Sequence, residues 1–101
     1  MDKAARDTLL VVRRCIASGR YRILGHFTQR MDERGLFWPD IVAVIETASD
    51  AFDEGLDDYD RPKWLILGEA TDGSPLGIVI ALDADERGDV TVFITAYWEE
   101  D

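Results

Sequence analysis

At 101 residues the chain has room for one hydrophobic core and not two, so it is read as a single domain over 1–101. Nearly half of its residues are hydrophobic and about a third charged, the balance of a soluble globular protein, and no apolar run nears the roughly 20 residues that span a bilayer. The net charge of −10 repels nucleic acid at long range, which disfavours RNA as a partner.

The charge is uneven. Residues 1–34 hold eight Lys/Arg against four acids, whereas residues 35–101 hold three basic residues and 17 acids. A local basic face is therefore confined to the first third. The opening Met1 to Asp7 lacks the basic-then-apolar order of a signal peptide. Cys15, the lone cysteine, excludes an internal disulfide and fits a reducing cytoplasm, the expected location. No membrane partner is expected.

Residues 3–18 predict an amphipathic helix, with Ala5, Leu9, Val12 and Ile16 at helical spacing and Ser18-Gly19 as its stop. Tyr21 to Leu24 reads as a short extended piece. A second helix follows over 25–34, ended by Gly35 in the manner of a left-handed cap. Pro39 opens a third helix over 39–48 with Ile41, Val44, Ile45 and Ala48 as its stripe. Trp38, preceding proline, is expected to be extended and to plug the gap between two helices. From residue 50 the period changes. Ala51 to Glu54 is a weak strand and Gly55 to Arg61 a solvated acidic loop. Lys63–Ala70, Leu76–Leu82 and Val90–Trp98 are strands. The Asp72-Gly73 pair and the Ala84–Asp89 turn make them neighbours in an antiparallel meander. The expected fold is α+β, with N-terminal helices packed on one face of an antiparallel β-meander sheet. Phe27, Met31, Val92 and Ile94 are expected to join the stripe residues in the core.

Strict alternation along the last strand puts Val90, Val92, Ile94, Ala96 and Trp98 on one side and Thr91, Phe93, Thr95 and Tyr97 on the other. The preceding strand is apolar on both faces. A sheet covered on one side only would leave Val79, Phe93 and Tyr97 on a partly apolar surface for another chain, a protein partner or a second copy.

The most informative stretch is His26-Phe-Thr-Gln-Arg30-Met31-Asp-Glu-Arg34-Gly35-Leu36. On a helix His26, Arg30 and Arg34 stand at i, i+4 and i+8 and stack along one side, while Phe27 and Met31 point inward. An imidazole that titrates near neutrality beside guanidinium groups that grip phosphate oxygens could bind a phosphate and move a proton. A solvated cationic face is the plain alternative. Other chemistry is excluded by composition or spacing. One His and one Cys cannot build a zinc site, and no metal is expected. Asp83-Ala-Asp85-Glu-Arg87-Gly88 imitates the start of a calcium loop, but Arg87 and Ile94 occupy ligand positions. No glycine-rich phosphate loop follows a strand, so no cofactor is indicated.

The motif His26-x-x-x-Arg30-Met31-x-x-Arg34-Gly35-Leu36 and the order of elements resemble the bacterial family known as domain of unknown function 4258, over about residues 21–98. That family in turn resembles small RelE-like and BrnT-like toxin folds, some of which cleave RNA. The resemblance implies a RelE-like helices-then-sheet layout with His26 and Arg30, and less directly Arg34, as the matching functional positions. Those toxins are generally basic, and this chain is not. Two functions follow as expectations. One is a small cytoplasmic protein-interaction module on a RelE-like fold, which the electrostatics favour. The other is a metal-independent endoribonuclease of the toxin–antitoxin kind. There His26 would be general acid or base, Arg30, Arg34 and Lys63 would hold phosphate, and Tyr97 would donate a proton or stack.

Overall fold

The computed structural model describes residues 1–98. Helix α1 (Lys3–Ser18) leads into a short strand β1 (Tyr21–Ile23), then helices α2 (Gly25–Arg34) and α3 (Trp38–Thr47). Strands β2 (Asp50–Leu56), β3 (Pro62–Glu69), β4 (Pro75–Asp85) and β5 (Gly88–Trp98) follow. The result is an α+β fold with one five-stranded sheet in the order β1-β5-β4-β3-β2.

Local chemistry sets the helix limits. The Asp2 carboxylate accepts from the Ala5 N–H at 2.8 Å and starts α1, satisfying one of the amides that a helix start leaves orphaned. Gly19 at φ 73° ends it, and the Arg20 N–H returns to the Cys15 carbonyl at 2.8 Å. Gly35 closes α2 in the same way at φ 65°, with the Leu36 N–H on the Met31 carbonyl. Both ends need a left-handed residue, which glycine adopts without a Cβ penalty.

Strands β3, β4 and β5 form the antiparallel meander expected from their short turns. Two features of the sheet pairing depart from expectation. Strand β1 pairs in parallel with β5, Tyr21 opposite Thr91 and Ile23 opposite Phe93, so the sheet is mixed. Helices α2 and α3 and three strands separate β1 from β5, so no hairpin turn imposes antiparallel pairing on them.

The second departure is a bulge. Val79 pairs with Thr95 but Ile80 pairs with Phe93, so Ile94 is an extra residue in β5. One added residue reverses the alternation beyond it. Phe93 therefore belongs with Ala96 and Ile80, fully buried in the core cluster, rather than beside Val79 and Tyr97. Val92 is also fully buried, but it lies across the sheet from Phe93, on the same side as half-buried Ile94.

The core cluster joins all three helices to the sheet. Ala5, Leu9 and Val12 of α1, Phe27 of α2, and Ile41, Val44 and Ile45 of α3 meet Trp64, Ile66, Leu76, Ile78, Ile80, Phe93 and Ala96. Met31 and Ile16 pack at its margin. Trp38 is not extended but opens α3, where its ring stacks on Tyr21 at 4.9 Å and meets Phe93 edge-on at 5.4 Å. Two aromatic partners outweigh the local bias of a residue before proline. Gly68 lets α3 seat against β3, because a Cβ there would stand 2.3 Å from the Val44 carbonyl oxygen.

Candidate functional site

Helix α2 presents the expected cationic row. His26, in its first turn, is exposed, and no side chain caps that end of the helix. The imidazole is thus open to solvent and not a buried buttress. Arg30, one turn on, is half-buried and donates to Glu33 at 2.8 Å. That hydrogen bond, aided by one from Gln29, holds the Glu33 carboxyl below its ordinary range. Arg34 ends the row half-buried. Its Nε is enclosed and has no hydrogen-bond partner among the described residues, while its carbonyl accepts from Trp98 Nε1 at 3.2 Å. The row is anchored from behind by Phe27, whose ring lies 5.4 Å from that of Phe93.

The other expected site residues lie elsewhere. Trp98 reaches α2, so Tyr97, adjacent on β5, is directed to the opposite side of the sheet. Lys63 pairs across from Ala81 and stands on that same opposite side, away from Trp64 and Ile66 of the core. His26, Arg30 and Arg34 therefore form one row on a helix, and neither Tyr97 nor Lys63 converges on it.

Residues 23–98 match the family model described as Domain of unknown function (DUF4258). The chain belongs to this family. No curated protein matches it. The DUF4258 region takes in α2, α3 and the β2–β5 meander, with α1 preceding it.

On the side of the sheet away from the core, this DUF4258 chain carries an ion-pair row that the sequence did not announce. Arg22 and Arg61 both reach the Asp83 carboxylate, and Arg61 Nε also donates to Asp57 at 2.7 Å. Asp57 further accepts from the Tyr59 and Arg61 backbone N–H groups at 2.9 Å each, and the Tyr59 ring covers the Arg61 guanidinium at 4.9 Å. The segment expected to be a solvated acidic loop is thus an organised strap, with the Asp57 side chain only 7% exposed. Burial works against the charge of Asp57, yet the Arg61 and Tyr59 donors outweigh it and hold the carboxyl low. Asp83 is held low first by the Ala84 N–H, then by Arg61 and Arg22. The clue was positional: Asp83 and Asp85 alternate on one strand face, as do Arg20 and Arg22, and the ladder turns both into ion pairs. Asp83 and Asp85 of the calcium-like run, excluded above as a calcium loop, are occupied by arginines around an open cleft of about 520 Å³.

Beyond the strap that face stays partly open. Leu65, Leu67, Val79, Thr95 and Tyr97 are half-buried, and Phe52 on the edge strand is 45% exposed. Among the described residues no helix is long and apolar enough to cross a membrane.

Proposed function

We propose that the protein is an interaction module with a RelE-like layout, its helices on one face of the sheet and its other face covered by a second copy of the chain. The observation that carries this reading is the row Phe52, Leu65, Leu67, Val79 and Tyr97, apolar or aromatic positions brought together on one face and incompletely buried. A contiguous apolar surface of this kind gains free energy when water leaves it, about 25 cal/mol per Å². A second copy matches it by symmetry, since an isologous contact needs one self-complementary patch. The like charge of two acidic chains opposes that contact and is screened by salt, so association should strengthen as salt rises.

Hydroxyl-radical footprinting across a concentration series tests the reading. Protection of Leu65, Leu67 and Tyr97 that grows with concentration supports it. Labelling that stays constant at every concentration and salt level removes it.

The ribonuclease reading keeps one point in its favour, the exposed His26 beside Arg30. It loses Tyr97 and Lys63 as convergent groups, and Arg30 already spends a donor on Glu33. The interaction module accounts for more of the surface.

A further inference from the structure

The flank of α1 beside α3 carries Arg6, Leu10, Arg13 and Ala17, a spacing of four, three and four that makes one helical stripe. Two hollows run along it. One of about 340 Å³ is lined by Arg6, Leu10, Arg13 and Ala48 among others. The next, of about 300 Å³, is lined by Arg13, Ile16, Val42 and Glu46 among others. Arg13 borders both and its Nε reaches the Ile45 carbonyl of α3, so the two hollows flank this side chain along the α1–α3 groove. At 1.5 Å per residue, Arg6 to Ala17 cover roughly 17 Å of α1.

The groove sets an exposed apolar side chain beside two arginines that, among the described residues, hold no carboxylate. Leu10 is 47% exposed beside this groove. Arg6 donates to the Met1 carbonyl and Arg13 Nε to the Ile45 carbonyl at 3.2 Å, both uncharged acceptors. In a chain with 21 acids and 11 Lys/Arg, Arg20, Arg22, Arg30 and Arg61 each hold a carboxylate. Among the described residues neither Arg6 nor Arg13 does. A guanidinium fixed at Nε by a carbonyl still has its terminal N–H donors to offer, and those suit a carboxylate. The one acid among the described lining residues, Glu46, shares the second hollow with Arg13, and the hollow beside Arg6 has none. Helix α1 lies outside the 23–98 match and α3 inside it.

We propose that the α1–α3 groove docks an acidic amphipathic helix of a partner protein. Its apolar stripe would lie on Leu10, Ile16 and Val42, and its carboxylates would meet Arg6 and Arg13. This is helix-in-groove recognition, read by anchors one turn apart. It stands apart from the sheet-face reading, and the two contacts respond oppositely to salt: the groove contact weakens as charge is screened.

The test is a selection of peptides of about 16–20 residues, long enough to span the groove, from a random display library on the full chain. Binders are then titrated by fluorescence anisotropy against the wild type, Leu10→Glu, Arg13→Glu and Val79→Asp, with thermal melts confirming each fold. The expected result is enrichment of Asp and Glu flanking apolar residues at helical spacing. Affinity should fall at least about tenfold in Leu10→Glu and in Arg13→Glu, the scale of losing one well-placed contact, and should hold in Val79→Asp. Leu10 is exposed enough that its variant should fold even if Arg13→Glu does not. An absence of binders, binders without acidic enrichment, or binders indifferent to Leu10→Glu would overturn the proposal.

Discussion

Thr91 shows how one side chain can cost a fold stability. It is fully buried and its Oγ1 has no hydrogen-bond partner among the described residues. A buried hydroxyl without a partner carries its desolvation penalty uncompensated, so Thr91→Val, of nearly the same shape, should stabilise the protein by about 1 kcal/mol. Chemical denaturation of both proteins measures this, and a less stable variant would mean that the hydroxyl is paired in solution. Gly68 poses the opposite case. Its backbone is ordinary, but a Cβ would stand 2.3 Å from the Val44 carbonyl oxygen, so Gly68→Ala must push α3 off β3. The expected loss is about 1–3 kcal/mol. His26, by contrast, is exposed, and His26→Ala should leave the unfolding free energy unchanged within about 0.5 kcal/mol. A large loss would restore the structural role that its exposure argues against. The same variant, tested beside the wild type for RNA cleavage, decides whether the α2 row has any catalytic part.

At the level of elements, periodicity in the sequence located α1 and α2 at the bounds observed, because Gly19 and Gly35 end them by a purely local mechanism. The meander was legible for the same reason, through turns that close within a few residues. What escaped depended on contacts far apart in sequence. The bulge at Ile94 arises from the pairing of β5 with β4, and it reassigned Phe93 to the core. The helical state of Trp38 depends on Tyr21 and Phe93. Of the candidate site, the α2 row was legible because a helix fixes i, i+4 and i+8. The placement of Tyr97 and Lys63 was not, because a strand's facing is settled by its neighbours.

Element docking also gives a prediction. The Asp40 carboxylate accepts from the Phe37 N–H at 3.0 Å, and from the Thr71 hydroxyl and N–H at 2.6 and 3.1 Å. It ties the start of α3 to the β3–β4 turn, and these bonds, the Thr71 hydroxyl foremost, hold its carboxyl low. Asp40→Ala should cost about 1 kcal/mol, modest because the bonds face solvent. A denaturation midpoint equal to the wild type would show that the link is not formed.

At the scale of the whole molecule, acid should act through the same kind of group. Asp40, Asp57 and Asp83 all have folded carboxyls held below their usual range. Their contribution is therefore fully present above the unfolded value of about 3.9, and is lost as pH falls through the lower folded values. Thermal melts should hold their midpoint contribution from pH 7 down to about 4.5 and fall steeply below about 4. Asp57→Asn, which removes the strap's carboxylate, should make that fall shallower. An unchanged acid limb would mean that the strap does not couple to folding.

Salt acts in the other direction on an acidic chain, since screening the −10 charge relieves repulsion within one molecule and between two. The most direct measurement is therefore the solution mass by light scattering, at rising concentration and at about 0.05 and 0.5 M salt, for the wild type and Val79→Asp. The sheet-face account predicts a shift towards twice the chain mass that salt strengthens and Val79→Asp abolishes without loss of fold. A single-chain mass under every condition, or a dimer that Val79→Asp leaves intact, would contradict it.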